Sequence, residues 1–260
     1  MSEVWESGDP YEYFMGRWSH LVGDSFLDWL TVSPGKIWLD VGCGTGALSA
    51  SVLSKQDPAE LIAIDQSEGF VESAQQRLGS AARCEVGNAM DLSFKDSSFD
   101  YVISGLVLNF IPEPENLLRE MKRVTAPRGT VAIYVWDYSG KMEFLQYFWD
   151  AVVDLDPAVS DLHEATRFPD ANKEGLQRLF ENTGFTNTII EPLEIETNFE
   201  DFDDYWSPFL GGQGPAPAYV LSLDESERNR LRDCLKDRLP IQQDGSIPMN
   251  ARAWAAKSTV

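Results

Sequence analysis

The sequence predicts an α/β fold, a seven-stranded and mostly parallel sheet with helices on both faces. Three observations predict it. Strand-like and helix-like stretches alternate from residue 36 to residue 137. The strand-like stretches are apolar along their length, as strands covered on both faces are. Polar or acidic residues stand where those stretches end, which is where such sheets take ligands.

Each element has its own local reason. Between about Tyr11 and Leu30, the residues Phe14, Trp18, Leu21, Phe26 and Leu30 recur at helical spacing. Pro34 and Gly35 then break the chain before a first strand near Ile37 to Val41. "LIAID" is a short second strand ending on Asp65, and "SEGFVESAQQRLG" is a helix with Ser67 as its N-cap. "RCEVGN" is a third strand, and "FDYVISGLVLNF" opens as a fourth. "PEPENLLREMKRVTAPRG" is a helix with prolines before it and Pro127 to Gly129 closing it. "TVAIYVWDY" is a fifth strand, free of charge until Asp137. Asp40, Asp65, Asn88, Ser104 and Asp137 fall at strand ends and should converge on one rim.

After Asp137 the rhythm changes. "MEFLQYFWDAVVDL" is an amphipathic helix, and "NKEGLQRLFENTGF" is another that closes at Gly184. "TNTIIEPLEIETNF" reads as a sixth strand. "EDFDDYWSPFLGGQGPAPAYV" concentrates aromatics, glycine and proline in a compact stretch with short helical turns. A charged helix, "DESERNRLRDCLKDRL", follows, and "IPMNARAWAAK" is expected as a last strand, antiparallel at the sheet edge. The organisation expected is one domain over residues 1–260, with a core at 36–137 and candidate lid insertions at 138–184 and 199–240.

Composition narrows the partners. Lys and Arg number 21 against 42 Asp and Glu, a net charge of −21. A surface this acidic repels phosphate backbones and anionic lipid, so nucleic acid is not an expected partner. Solubility accounts for the charge, and attraction of a cationic substrate is the sharper alternative. No apolar run approaches the roughly 18 residues that a membrane span needs. "MSEVWESGDPYEYF" lacks the apolar stretch of a signal peptide, and three scattered cysteines suit neither a disulfide framework nor a metal site. The expected compartment is cytoplasmic, with no membrane insertion and no metal.

The stretch "KIWLDVGCGTGALSA" carries the chemistry. Its "GCGTGA" fits a dinucleotide fingerprint, with Asp65 about 20 residues on. The glycines let the backbone approach a ligand closely, and the following helix offers free N–H groups at its start. Those groups suit a pyrophosphate or, equally, a carboxylate. Asp40 separates the two. A fixed negative charge just before the glycines is a poor neighbour for pyrophosphate and a good one for an ammonium group. A ligand with an α-amino group, a sulfonium and a ribose would use Asp40, the glycine backbone and Asp65 together. S-adenosylmethionine is such a ligand.

"WLDVGCGTG" closely resembles the first motif of the class I S-adenosylmethionine-dependent methyltransferases, whose fold is Rossmann-like. "IAID", "VGNAMDLSFKDSSFDYVISGLVLNF" and "MKRVTAPRGTVAI" resemble that family's later motifs in the correct order. "MGRWS" and "FDDYWSPFLGGQGPAP" are similar to a bacterial subgroup of its small-molecule methyltransferase-domain family (type 11-like). The resemblance implies that Gly42, Gly44 and Gly46 form the floor beneath the methionyl chain and ribose, with Asp40 near the ammonium group. It implies that Asp65 accepts from the ribose hydroxyls and that Gln66, Asn88, Ala89 and Met90 line the adenine. Asn88 stands where the family commonly has aspartate. Ser104 and Leu106 would border the methionyl chain, and Arg17 would fork onto the cofactor carboxylate.

Methyl transfer needs a nucleophile held in line rather than an acid or base. His20 and His163 are the only histidines, and neither is assigned a role, so no catalytic residue is named. The acceptor, a small molecule, is expected against Asn109, Trp136, Tyr138, Tyr205 and Trp206, with Phe209 in the same lid; the alternative is that these rings build core. Two other functions stay open on the residues alone. One is an NAD(P)-dependent oxidoreductase, from the fingerprint fit. The other is a catalytically inactive S-adenosylmethionine-binding protein, from Asn88.

Overall fold

The computed structural model describes residues 12–211 and 214–260. Tyr11, where the predicted first helix opens, and residues 212–213 of the predicted lid lie outside the described residues. The elements in chain order are α1 (Arg17–Leu30), β1 (Ile37–Val41), α2 (Ala47–Lys55), β2 (Glu60–Asp65), α3 (Glu68–Leu78), β3 (Arg83–Val86), β4 (Phe99–Gly105), α4 (Pro114–Val124) and β5 (Thr125–Trp136). They continue as α5 (Glu143–Leu155), α6 (Glu164–Arg167), α7 (Lys173–Asn182), β6 (Ile189–Glu196), α8 (Phe202–Trp206), α9 (Pro215–Ser222), α10 (Glu225–Arg238) and β7 (Asn250–Thr259). The chain divides into two compact units. Among the described residues, the sheet unit comprises Ser19–Val135, Asp170–Leu193 and Ala253–Val260, and the ring-rich unit comprises 12–18, Trp136–Pro169 and those of Glu194–Arg252.

All seven strands form one sheet in the order β3-β2-β1-β4-β5-β7-β6. The pairs β1–β2, β1–β4, β2–β3 and β4–β5 are parallel. Their apolar composition is the cause: Trp38, Leu39, Val41, Val102, Ile103, Val131 and Ala132 are all fully buried, so both sheet faces must be covered. The chain winds outward from β1 through β2 to β3, then returns with β4 on the other side of β1. That reversal puts a switch point at the carboxyl ends of β1 and β4, the place where an open sheet of this class takes its ligand.

The last strand departs from expectation in one respect. Arg128 N donates to Val260 O at 2.8 Å and Asp137 N donates to Arg252 O at 2.9 Å, so β7 runs antiparallel to β5 as expected. It does not lie at the edge. It is wedged between β5 and β6, and β6 takes the edge on that side, with β3 at the opposite edge. Local pattern identifies a strand but not its neighbours, because pairing is decided by residues far away in sequence.

Local signals otherwise explain the helix ends. Ser67 Oγ accepts from Phe70 N at the start of α3, and Pro114 opens α4 as a residue needing no N–H partner there. Gly184 follows the α7 cap with φ +75°, a left-handed conformation that glycine adopts without strain. Along α1 the buried face runs through Val22, Phe26, Leu27 and Leu30, whereas Leu21, counted on the apolar face in the sequence, is 46% exposed.

The ring-rich unit is built differently. Phe148 stacks on Phe209 at 4.4 Å, Trp18 meets Phe199 edge-on at 5.4 Å, and Tyr205 packs on Phe199 at 5.2 Å. Each buried ring of this kind contributes about 1.5–3 kcal/mol relative to exposure. α10 opens with a reciprocal capping box between Asp224 and Glu227.

Candidate active site

At the end of β1, Asp40 lies between Ala63 of β2 and Ile103 of β4 and is only 1% exposed. Its Oδ2 accepts a 2.7 Å hydrogen bond from Ser49 Oγ of α2, while Oδ1 has no hydrogen-bond partner among the described residues. Burial pushes the carboxyl up to about 7, against the Ser49 hydrogen bond and with help from the charge of Asp65. A buried acceptor without a donor is costly, by about 1–3 kcal/mol, and a cationic donor would relieve it.

The turn that follows keeps its backbone close to this carboxylate. Gly42 has φ +76°, and a β-carbon there would stand 2.5 Å from Val107 Cγ2, so any side chain would force the β4 connection outward. A β-carbon on Gly44 would meet nothing within 4 Å, so that stretch of backbone borders open space. Gly44 N donates to Asp65 Oδ2 at 3.0 Å, and Ser67 N donates to Asp65 Oδ1 at 3.0 Å. Asp65 thus braces the turn from the end of β2, and each of its oxygens keeps a second lone pair for a ligand hydroxyl. Burial raises its pKa, opposed by hydrogen bonds from Ser67, Gly44 and Gln66. Gly46 caps α2 directly behind.

The other strand ends are tied in. Ser104 Oγ donates to Val41 O at 2.7 Å, joining β4 to β1 beside Asp40. Leu106 holds φ +63° and donates its N–H to Tyr134 O at 2.8 Å. A left-handed leucine costs about 1–2 kcal/mol, and such strain gathers at ligand sites. Gly87 N donates to Asp65 O at 2.9 Å, which brings the Asn88–Met90 turn beside β2. Asn88 is exposed, with its Oδ1 accepting from Met90 N at 3.0 Å; Ala89 and Met90 are half-buried and Gln66 is exposed. Asn109 sits in the short turn Leu108–Phe110 after β4, half-buried.

The sheet unit therefore brings together Asp40, the three glycines, Asp65 and Ser104, with the Asn88 turn attached. The remaining predicted residues belong to the ring-rich unit. Arg17 places its guanidinium across Asp204, Nη1 to Oδ1 at 2.8 Å and Nη2 to Oδ2 at 3.1 Å, and lies 4.4 Å from the Trp18 ring. These hydrogen bonds hold the Asp204 carboxyl below its usual range. Trp136, Tyr138, Tyr205 and Trp206 are all buried, and the Tyr205 hydroxyl donates to Phe144 O at 2.8 Å. Asp137 does not stand open at a rim. It accepts from Arg252 Nε at 2.7 Å and from Gly140 N at 2.8 Å.

Cys43 is buried, and burial together with the charges of Asp40 and Asp65 pushes its thiol far above the ordinary range, which suits packing and not nucleophilic attack. His163 uses Nδ1 to accept from Ala165 N at the start of α6, and burial lowers its pKa. Ser49 and Val107 were not singled out in the sequence. The one sequence signal for Ser49 is a small hydroxyl residue on the buried side of α2. Among the described residues, no helix is long and apolar enough to cross a membrane, and no group of three His, Cys, Asp or Glu could hold a metal ion.

Comparison with known proteins bears on the family and the fold. The methyltransferase domain family matches residues 39–133. The demethylmenaquinone methyltransferase of Staphylococcus aureus is 30% identical over 172 residues, covering 61% of this chain and 71% of that protein. The YcgJ protein of Bacillus subtilis aligns with a TM-score of 0.60 at 16% identity, over 92% of this chain and 98% of its own. Phosphoethanolamine N-methyltransferase 2 of Haemonchus contortus, solved in complex with S-adenosyl-L-methionine, aligns with a TM-score of 0.57 at 17% identity, over 96% of this chain and 56% of its own. The two structural likenesses are likenesses of fold.

Proposed function

Because the chain belongs to the class I S-adenosylmethionine-dependent methyltransferases, we propose that it methylates a small-molecule acceptor by in-line displacement. S-adenosylmethionine, the family's cofactor, supplies a methyl group on a sulfonium. The observation that carries the fit to this cofactor is the buried, unpartnered Oδ1 of Asp40 beside an open glycine turn. An ammonium group satisfies that oxygen, whereas a pyrophosphate would repel it.

In this reading the backbone of Gly42, Gly44 and Gly46 forms the floor of the site, and Asp65 accepts from the ribose hydroxyls. Gln66, Asn88, Ala89 and Met90 border the adenine, and Ser104 and Leu106 border the methionyl chain. Arg17 already has a carboxylate across its fork, so a role toward the cofactor carboxylate lacks support from its geometry. For the acceptor, Asn109 is the candidate in the sheet unit and Trp206 in the ring-rich unit, with 138–184 and 199–240 as the lid segments. Trp136, Tyr138 and Tyr205 are retained only as core residues that could shape those segments. Support for a small acceptor comes from the names of the relatives, whose demethylmenaquinone and phosphoethanolamine are small molecules.

Incubation with labelled S-adenosylmethionine and small-molecule extracts should yield a labelled low-mass product. Calorimetry should detect S-adenosylhomocysteine binding and no NAD binding. Cofactor binding without turnover on any acceptor would instead favour an inactive binding protein.

A further inference from the structure

Asp40 is held by a single side chain. Ser49, fully buried on α2 and nine residues along, donates to Oδ2 at 2.7 Å, and no other side chain bonds to the carboxylate among the described residues. We propose that Ser49 is a positioning residue for cofactor capture: by fixing one oxygen of Asp40 it keeps the other free to receive the α-ammonium group. The inference rests on the methyltransferase reading and deepens it.

Three observations support it. Asp40 is buried on every side within the sheet, so its rotamer is set by packing and by this hydrogen bond rather than by solvent. Its ionised form is disfavoured by burial, and Ser49 provides the largest opposing influence. The charged or titratable groups around it do not offer a substitute. Asp65 at the end of β2 repels it, Cys43 in the turn is a buried neutral thiol, and Cys84 of β3 has its own thiol raised, by burial and by the charge of Asp40. β4 contributes only the Ser104 hydroxyl, which is donated to Val41 O. Arg77 of α3 reaches the same turn but donates to Thr45 Oγ1 at 3.2 Å.

Capture of the ammonium group is then linked to proton release from Asp40. Affinity for the ligand should rise with pH through about 7, the range in which the buried carboxyl ionises. Loss of the Ser49 hydrogen bond raises that pKa further, so the rise should move to higher pH.

The experiment is calorimetric titration of the whole protein with S-adenosylhomocysteine between pH 5.5 and 8.5. For the unaltered protein, affinity should rise about thirtyfold over this range, whereas 5′-methylthioadenosine, which has no amino-acid portion, should bind with no such rise. Ser49→Ala should weaken S-adenosylhomocysteine about tenfold near neutrality and shift the inflection upward, and Ser49→Thr should restore both. Asp40→Asn should flatten the profile. A uniform loss at all pH values in Ser49→Ala, with the inflection unmoved, would mark Ser49 as packing only and overturn the inference. Equal pH dependence for the two ligands in the unaltered protein would overturn it without any variant. Failure of the unaltered protein to bind S-adenosylhomocysteine at any pH would overturn the cofactor reading, and the inference with it.

Discussion

Each compact unit places carboxylates in protected positions, but their surroundings differ in kind. In the ring-rich unit Asp137 faces Arg252 and Asp204 faces Arg17. In the sheet unit Asp40 and Asp65 have no arginine or lysine across from them among the described residues, and burial raises both pKa values. A protected carboxylate with its own cation is a structural device. One without a cation carries a cost that protonation or a cationic ligand relieves, and perturbed groups of this kind cluster at functional sites. The contrast supports the proposed cofactor site in the sheet unit.

The sharpest way to break the comparison is to remove a cation from the paired unit. Arg252→Met leaves Asp137 buried and uncompensated and should cost about 3–5 kcal/mol in denaturant unfolding. A loss under about 1 kcal/mol would mean that Asp137 is solvated and the pairing incidental. The opposite sign is expected in the sheet unit. Asp40 has its folded pKa raised from 3.8 to about 7, so its contribution to stability is fully present below 3.8 and is lost as pH rises through 7. Asp40→Asn, which carries no charge to bury, should therefore stabilise the ligand-free protein at pH 8 by up to about 4 kcal/mol, while weakening S-adenosylhomocysteine. Destabilisation at pH 8 would contradict the raised pKa.

Two smaller effects refine the ring-rich side. Trp206→Ala should reduce kcat/KM for the acceptor about tenfold, or about 1.4 kcal/mol, and leave S-adenosylhomocysteine affinity nearly unchanged. Equal loss of both would make the lid aromatics purely structural. Arg17→Ala should cost at most about 1 kcal/mol, because its pair with Asp204 is partly open to solvent. The Asp204 carboxyl is depressed, so this contribution should be present at neutral pH and vanish as pH falls below the ordinary carboxylate range, read as a narrowing gap between the two unfolding curves.

Much of this contrast is legible in the sequence. Asp40, the glycines and Asp65 are readable because strand ends and tight turns leave strong local marks, and the structure joins them through Gly44 N to Asp65. Ser49 is not readable, since "ALSASVLSK" contains three serines and only the packing of α2 on β1 selects one of them. Arg17 shows the limit from the other side. A guanidinium fork announces that it will meet a carboxylate but not which one, and Asp204 lies 187 residues away. The place of β7 is hidden for the same reason.

The seat of β7 also sets an order of assembly. β7 is made after both of its neighbours and must slip between them, and until residues 250–259 have emerged from the ribosome, β5 and β6 each present a bare line of amides and carbonyls. A nascent chain stalled short of that point should cling to chaperones or to its own copies, and release should come when β7 zips the gap shut.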